Sequence, residues 1–502
     1  MSVNTPPKAG MSDVEHLATL GYEGTYRRTM SFWGNVALGF TYLSPLVAIY
    51  AYFAYALQLG GPPSVFWIVI VGAGQLLVAL VMGEVVSQFP IAGGIYPWAR
   101  RLWGKRYAWM AAWVYVWAMI VTITAVAEYG SGFLATLLGV PLDADGLLPV
   151  GWTLALSIAI LLIALLFNLG GTKMTSRIAL IGLAAELTGV VGLGLYLLIF
   201  QRKNDFSVFF DSFGKGDGNY TAAFVGAALI GLFMFYGFEA CGDVAEEVAD
   251  ASRQVPRAMY LTIFVGGISA LMSFVGYVLA APNLAAIVSG DDPNPIPSIL
   301  EASLGPVGEK IFLVVACMAF LSCVLSLQAA ASRLLHSFAR DGMLPASGWL
   351  SKLSPHTQVP TNAIIVASVI PMIICVVVFV MPNALVQVTS FAVLGIYVAF
   401  QAIVLAALRQ RVKGWKPAGP FNLGVWGFVI NIGALVYGII AIILLLLGPT
   451  FSLVDNSITW IGLVVVLAIG GFYLAIARPD KKSTAPEGDA IAVAEKMRAH
   501  SS

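Results

Sequence analysis

Glu239 lies in the sequence YGFEACGD, between Gly237 and Gly242, after a run of fourteen uncharged residues from Ala222 to Phe235. A carboxyl group deep in an apolar segment is costly in lipid, so it is a functional-site hypothesis by default. It could pair with a cationic amine, accept a proton, or hold the loose backbone amides of a broken helix. Irregular backbone is tolerated at membrane depth only where it lines a cavity in the protein. The stretch therefore predicts a discontinuous helix at a solute site.

Two further acids lie in apolar segments. Glu186 follows Arg177 by nine residues, which is about 13 Å along a helix and near the middle of a membrane core about 30 Å thick. Removal from water raises a carboxylate's affinity for protons, which suits a proton-coupling group; a hydrogen bond to a neighbouring helix is the structural alternative. Glu128 lies 22 residues beyond Arg106, about 33 Å along a straight helix. We expect Glu128 near the outer mouth, as a solvated vestibule acid or as one that attracts cations.

Composition sets the class of the protein. Of its 502 residues, 59% are hydrophobic and 11% are charged, where soluble domains have about 25% charged residues. The chain is therefore an integral membrane protein. Its four cysteines and four histidines show no metal-binding or redox spacing, and no phosphate-cradling GxxxxGK[ST] loop is present. The first 26 residues are polar, so we expect no signal peptide.

Twelve segments meet the roughly 20 apolar residues that a spanning helix needs. They predict an all-α protein whose helices are joined by short loops into one bundle, residues 31–477. Residues 1–30 and 478–502 are predicted as cytoplasmic tails, the second disordered with room for a short amphipathic helix near Ala490–Arg498. The predicted spans are 31–58, 65–89, 107–139, 151–168, 177–200, 221–248, 258–281, 309–339, 361–381, 384–408, 423–448 and 457–477.

Lys and Arg residues predict the orientation, since cytoplasmic loops carry an excess of them. With the N-terminus inside, 23 of the 27 Lys and Arg residues fall on the cytoplasmic side. The opposite orientation inverts this ratio. We therefore expect both termini in the cytoplasm.

The first and sixth spans share an interrupted pattern. The first is broken by TYLSP, residues 41–45, where Pro45 removes a backbone donor and clashes with the preceding turn. The sixth breaks at Tyr236–Gly242. Five helices separate the two features, and an odd number inverts the topology. Interrupted helices at corresponding positions of inverted halves point to a transporter binding site; a proline kink and glycine packing are the structural alternative.

Several stretches resemble the amino acid–polyamine–organocation permeases. They are GEVVSQFPIAGGIYPWARRLWG (Gly83–Gly104), YGFEACGDVAEEVADASRQVPRAM (Tyr236–Met259) and SRLLHSFARDGMLP (Ser332–Pro345). Three more stretches are similar to the amino acid/choline branch that includes GABA permeases: Leu17–Phe32, Val393–Ile403 and Gly419–Asn431. Together they extend over most of the chain.

The resemblance implies a leucine-transporter-type core of two inverted five-helix repeats, about residues 31–200 and 221–412, plus peripheral helices at about 423–477. It implies secondary transport of amino acids or amines by alternating access. It also implies that Glu186 faces the cleft between helices 1 and 8, where relatives hold a sodium ion or a lysine ammonium. One departure concerns the first break, FTYLSP, which lacks the glycine pairs that many members use to hold a substrate carboxylate. The hydroxyls of Thr41 and Ser44 could substitute.

The candidate site residues cluster around the two breaks and helix 8. Ser322 and Ser326, one turn apart, could supply hydroxyls or simply permit close packing. Aromatic rings near the breaks could stack on an amine or pack in the core. The predicted substrate contacts are Thr41, Tyr42, Ser44, Phe233, Tyr236, Gly237, Phe238, Glu239, Ser326 and Tyr397. Glu186 and Ser322 are predicted to couple an ion or proton; Glu128, Asp243 and Glu246 are predicted at a vestibule or gate, with Glu247, Arg253 and Arg257 near the gate.

Our main hypothesis is an uptake permease for an amino acid or a related small amine, coupled to protons or to exchange, and not an enzyme. The half-helix after Pro45 would face an anionic substrate group, and the sixth helix would meet the amine. Three intramembrane acids favour a second hypothesis, a carrier of a polyamine or choline-like cation. A channel or a polytopic enzyme is the third. We expect the plasma or inner membrane as location, a monomer or homodimer, no nucleic-acid partner, and no cofactor beyond coupling H+ or Na+.

Overall fold

The structure, a computed structural model, describes residues 12–141, 148–216, 218–292, 294–381 and 385–501. These residues form helices joined by short loops. Within those ranges there is no β-strand, and one isolated bridge joins Met30 to Val248. An all-α protein is therefore confirmed for the described part of the chain.

The helices have the following bounds: α1 (Asp13–Thr19), α2 (Phe32–Leu43), α3 (Pro45–Gly60), α4 (Phe66–Gln88), α5 (Ile95–Leu102), α6 (Lys105–Leu138), α7 (Val150–Leu169), α8 (Thr172–Leu187), α9 (Leu193–Phe200), α10 (Tyr220–Gly226), α11 (Leu229–Met234), α12 (Ala240–Asp243), α13 (Ala251–Ala280), α14 (Leu284–Ser289), α15 (Pro295–Arg340), α16 (Ser347–Leu350), α17 (Thr361–Val380), α18 (Leu385–Val412), α19 (Gly427–Leu447), α20 (Ser457–Ala477), α21 (Pro479–Lys482) and α22 (Ala490–Ser501). A π-helical turn, Thr188–Gly192, joins α8 to α9. Gly305, at φ 70°, kinks α15 near its start.

Eleven helical stretches of the described chain are long and apolar enough to cross a membrane. The protein is therefore a multi-pass membrane protein. The sixth predicted span, residues 221–248, has no such helix, because it is divided among α10, α11 and α12. The last two spans, α19 and α20, lie at the edge of the bundle, since most of their side chains face outward.

The predicted break in the first span is confirmed at Ser44. α2 ends at Leu43 and α3 begins at Pro45, with Ser44 in the left-handed region at φ 39°. Its amide still donates to the Phe40 carbonyl at 2.7 Å, and its hydroxyl accepts from the Val47 amide at 3.3 Å. Ser44 thus ends one half-helix and caps the next.

The predicted break in the sixth span is also confirmed. α11 ends at Met234, α12 begins at Ala240, and Gly237 between them has φ 114°. The backbone of the first break passes directly over this glycine, so that a Cβ atom there would lie 2.5 Å from the Leu43 nitrogen. The two breaks therefore contact each other through backbone, and only glycine permits this approach.

The first and last helices of the described residues, α1 and α22, pack on one end of the bundle, which we call the terminal face. The Gln88 side chain donates to the Ala490 carbonyl at 2.9 Å, and His16 Nε2 lies 3.0 Å from the Gln88 carbonyl. Val493 and Ala494 of α22 are buried. The expectation of a disordered C-terminal tail is therefore wrong for residues 478–501. An apolar stripe on α22 finds a partner surface that local sequence does not reveal.

Replacing Gly237 with alanine should destabilise the fold. Overpacking costs about 1–3 kcal/mol, and left-handed backbone adds about 1–2 kcal/mol for a residue with a Cβ. Gly214→Ala is the matched control, because Gly214 has φ 74° but no atom within 4 Å of an added Cβ. We expect the apparent melting temperature in detergent to fall more for Gly237→Ala than for Gly214→Ala. Equal decreases would contradict the backbone contact.

Candidate functional site

Glu239 holds the second break together. Its Oε1 accepts a hydrogen bond from the Tyr115 hydroxyl at 2.8 Å, and its Oε2 accepts one from the Gly237 amide at 2.7 Å. The side chain is fully buried. One of the three predicted uses of this carboxyl, fixing a loose backbone amide, is therefore realised. The Tyr115 partner, on α6, is a residue that sequence reasoning missed.

Two tyrosines face each other across the breaks. The rings of Tyr42 and Tyr236 meet edge to face with centroids 6.1 Å apart, and Phe233 packs on Tyr236 at 5.4 Å. Both hydroxyls are buried, and neither meets the geometry of a hydrogen bond, although Tyr42 has Tyr115 and Glu239 as polar neighbours and Tyr236 has Thr122. Buried hydroxyls without partners are uncommon in proteins. This pair can donate to, or accept from, a polar solute that reaches the breaks.

Two other predicted substrate contacts, Phe238 and Tyr397, pack on different neighbours. Phe238 packs on Phe400 at 5.3 Å, and the Tyr397 hydroxyl is 3.1 Å from that of Tyr437 on α19. Tyr397 therefore has its hydroxyl partner already. The structure places both rings on the α18 side of the second break.

Helices α2, α8 and α15 bring five predicted residues together in a group that we call the hydroxyl cluster: Thr41, Ser44, Glu186, Ser322 and Ser326. The Thr41 and Ser326 hydroxyls lie 2.7 Å apart, and Ser44 donates to Glu186 Oε2 at 2.9 Å. A Cβ added at Gly182, one turn before Glu186, would lie 2.4 Å from Ser322 Oγ and 3.2 Å from Thr41 Cγ2. This glycine lets the three helices approach closely enough to form the cluster.

Glu186 is placed at the start of the half-helix α3. Besides Ser44, the Leu46 amide is a hydrogen-bonding neighbour of its carboxyl, while Oε1 has no partner. The first amides of a helix carry positive partial charge and favour an anion. None of the ion pairs in the described residues includes Glu186. The carboxyl is thus held by neutral donors, a setting suited to a proton or to a small cation with oxygen ligands.

Glu128 does not join either break. It is 6% exposed and lies beside the Cys375 thiol of α17. The expectation that Glu128 is solvated is therefore wrong, while its role at a vestibule or gate stays a prediction. The position of Glu128 along α6 predicts only its depth in the membrane. Whether water reaches the carboxyl depends on how α17 packs against α6.

Two buried ion pairs lie at the terminal face, just after the second break in the chain. Glu247 binds Arg333 at 2.7 Å, and Glu246 binds Arg340 at 3.0 Å. Thr172 also donates to Glu247. We call these two ion pairs the terminal-face ion pairs. Both arginines come from α15.

Arg253 and Arg257, which the sequence placed near these acids, are exposed on α13. The nearest basic residues in the chain are not the nearest in space. Arg333 and Arg340 are seven residues apart, which puts them on one face of α15, two turns apart. That spacing is the signal that sequence reasoning could have used.

Asp243 lies apart from the ion pairs. Both carboxyl oxygens are buried without a hydrogen bond, and the backbone carbonyl accepts from the Gly93 amide at 2.9 Å. A Cβ added at Gly94 would lie 2.5 Å from Asp243 Oδ1. The carboxyl therefore contacts the loop before α5, and its predicted role at a gate stays a prediction.

Asp341 connects the terminal-face ion pairs to Tyr22 near the start of the described chain and to Thr484 near its end. Its carboxylate accepts from the hydroxyls of Tyr22 at 3.0 Å and Tyr96 at 2.9 Å, and Arg100 lies 3.4 Å away. The Arg340 guanidinium sits over the Tyr22 ring at 4.3 Å. Burial raises the pKa of Tyr22 to about 12, so its hydroxyl stays a donor at neutral pH.

The chain is similar in sequence to known permeases. A family model described as "Amino acid permease" matches residues 30–472. The chain belongs to the amino acid permease family. It is 25% identical to the amino-acid permease BAT1 of Arabidopsis thaliana over 88% of this chain and 90% of that protein. It is 26% identical to a homologue of BAT1 from Oryza sativa subsp. japonica, over 95% and 96%.

A third relative is named for another substrate. The choline transporter of Saccharomyces cerevisiae is 24% identical, over 88% of this chain and 79% of that protein. The resemblance noted from the sequence motifs is therefore confirmed at the level of the family. Relatives of this permease carry names that include both an amino acid and a quaternary amine.

Removing the Arg333 guanidinium should destabilise the permease strongly. Arg333→Gln leaves Glu247 buried without its cation, which costs about 3–5 kcal/mol for a buried pair. Arg202→Gln is the control, because the Arg202–Asp205 pair is 47% and 84% exposed, and such a pair contributes at most about 1 kcal/mol. The apparent melting temperature measures both. The double variant Arg333→Gln/Glu247→Gln removes both charges and should recover part of the decrease in melting temperature. A decrease no larger than that of Arg202→Gln would argue against a buried ion pair.

Proposed function

We propose that this permease is a secondary active transporter that moves an amino acid or a related small amine by alternating access. The observation that carries the proposal is the meeting of the two breaks at Gly237 and Leu43, with the unpartnered hydroxyls of Tyr42 and Tyr236 beside it. Broken helices in contact near the middle of a bundle provide free backbone groups and polar side chains for a solute. Family membership supports the same function. Moving a solute across the membrane forms and breaks no covalent bond, so we propose a transporter and not an enzyme.

The proposed topology has twelve membrane segments, counting the broken sixth, with two inverted five-helix repeats and both termini in the cytoplasm. Packing between counterpart helices supports the repeats: α4 packs on α13, and α6 packs on α15. In the predicted numbering these are the second with the seventh span and the third with the eighth. The distribution of Lys and Arg supports the orientation. We propose the plasma or inner membrane as location, and a monomer or homodimer.

Alternating access needs a seal that can open. We propose that the terminal-face ion pairs, Glu246–Arg340 and Glu247–Arg333, are that seal on the cytoplasmic side. Buried ion pairs are costly to break singly in a low dielectric, but water entry lowers the cost for both partners. The proximity of these pairs to α12 supports a link between the gate and the second break.

We further propose that Glu186 couples transport to a proton or a sodium ion. Support comes from the hydroxyl cluster, where Ser44 and Thr41 belong to the first break and Ser326 to α15. A change of charge on Glu186 would alter its attraction to the start of α3, and so the geometry of the break. No resident cofactor is proposed.

One observation favours a second candidate, a carrier of an organic cation such as a polyamine or choline. Glu186 already occupies the start of α3, which is where a substrate carboxylate would otherwise be bound. A substrate without a carboxylate does not compete with it. The name of the yeast choline transporter is in keeping with this candidate.

Proteoliposomes separate the candidates. Uptake of labelled GABA, putrescine and choline is measured with an inward proton gradient, with an inward sodium gradient, and with neither. Gradient-driven accumulation of GABA supports an amino acid permease, and accumulation of putrescine or choline alone supports the cation carrier. Unitary conductance steps in planar bilayers would contradict both. A thermal-shift screen of amino acids and amines on the purified protein identifies the ligands to test.

Glu186→Gln should abolish accumulation while leaving exchange of the substrate that the screen identifies. Glutamine keeps an oxygen for the Ser44 hydroxyl but does not change charge with pH. Accumulation under a proton gradient should fall to the passive level, and the pH dependence of uptake should flatten. Glu301→Gln, at an exposed position on α15, should keep both. An unchanged pH dependence in Glu186→Gln would exclude this carboxyl as the coupling group.

A further inference from the structure

A cavity of about 370 Å³ opens on the terminal face between α6, the end of α18 and residues 486–489. Five of its twelve lining residues are cationic, and two, Glu487 and Asp489, are acidic. The cationic lining residues are Arg100, Arg101, Lys105, Arg409 and Lys413. Arg100 is neutralised by Asp341 at 3.4 Å. The Asp489 carboxylate caps α22 by accepting from the Ala492 amide at 2.9 Å.

Arg101 is a buried cation of this cavity without an acidic partner. It is 1% exposed, and its guanidinium donates to the carbonyls of Glu487 at 3.0 Å and Gly488 at 2.9 Å, and to that of Leu20. Its Nε makes no hydrogen bond, and none of the ion pairs in the described residues includes it. Burial, with Arg100 beside it, lowers the pKa of Arg101 to about 10. Carbonyl dipoles compensate this charge only in part, and an anion would complete the compensation.

Two further features of the lining suit a phosphate group. The 34-residue helix α6 begins at Lys105, and its N-cap Gly104 supplies no side-chain acceptor for the first amides. Such amides bind anionic oxygens readily. Gln410, which lines the same cavity, has a buried Oε1 without a donor. This oxygen can accept from a hydroxyl, either of a protonated phosphate or of a headgroup.

The cavity lies beside an aromatic pair of the kind found at membrane interfaces. Trp103 is 37% exposed, stacks on Tyr107 at 4.3 Å and carries the Arg409 guanidinium at 4.6 Å. Exposed tryptophan and tyrosine at helix ends sit at the level of lipid headgroups. A phosphate at this cavity can therefore come from the bilayer as well as from solution.

We propose that this cavity is an anion site that binds a phosphate group, carried by an anionic phospholipid or free in solution. A bound phosphate would contact residues from α5, α6 and α18 at once, next to the carbonyls of residues 486–488 that hold the C-terminal segment. The site is separate from the hydroxyl cluster and from the two breaks. The proposal therefore stands or fails independently of the transported substrate.

The test uses the full-length protein in detergent and measures the melting temperature against added ligand. One arm compares dioctanoyl phosphatidylglycerol with dioctanoyl phosphatidylcholine, and the other compares inorganic phosphate with chloride at equal ionic strength. Lys105→Gln/Lys413→Gln removes two cations from the lining. Lys173→Gln/Lys352→Gln removes two exposed lysines outside it and keeps the same net charge. Ligands that bind the folded state raise the melting temperature by mass action.

We expect phosphatidylglycerol, inorganic phosphate or both to stabilise the unaltered protein, which identifies the source of the phosphate. Each lysine near a phosphate contributes about fivefold in affinity, so the Lys105/Lys413 variant should bind about 25-fold more weakly. The Lys173/Lys352 variant should bind like the unaltered protein. Stabilisation by phosphatidylcholine equal to that by phosphatidylglycerol with none from inorganic phosphate, no stabilisation by either phosphate probe, or equal weakening in both variants would overturn the proposal.

Discussion

Interrupting a helix inside an apolar bundle leaves backbone donors and acceptors that water cannot satisfy, and this constraint organises the centre of the permease. Each backbone N–H or C=O group that is buried without a partner destabilises the fold by about as much as a lost hydrogen bond. The break at Ser44 is satisfied by its own hydroxyl and by Glu186. The Tyr42 carbonyl accepts from the Cys323 thiol at 3.4 Å, and the Gly237 amide donates to Glu239. Side chains from α8 and α15 therefore fix the first break, and Glu239 with Tyr115 of α6 fixes the second, so those helices cannot move without changing the site.

The buried acids fall into two groups that differ in their partners. Glu246 and Glu247 are bound to arginines of α15, and these ion pairs link the segment after α12 to α15. Glu186 and Glu239 are bound to hydroxyls and amides only. Neutral donors allow a carboxyl to gain or lose a proton without stranding a buried cation. The first group is suited to a mechanical seal and the second to coupling, within one low-dielectric bundle.

The sequence was most informative where the signal is local. Pro45 and the glycines around Glu239 predict the two breaks because proline and glycine act on their own backbone. Apolar runs of about 20 residues locate the spans for the same reason. Long-range partners were not predictable: Tyr115 reaches Glu239 across 124 positions, and Arg333 reaches Glu247 across 86. The order in residues 478–501 depends likewise on a surface formed by α5 and α1.

The position of Glu186 bears on what the site can accept. A helix start offers a small number of amides and one region of positive potential. Glu186 uses this region through Ser44 and Leu46, and the first break has no glycine pair to supply additional free amides. A substrate carboxylate would have to displace Glu186 or meet its charge at close range. An amine instead meets aromatic rings, two free tyrosine hydroxyls and a carboxyl nearby, all of which favour a cation. Under the proposed function, the first break would therefore favour the positive end of a substrate, and a substrate carboxylate would be accommodated when Glu186 is neutral or moves away.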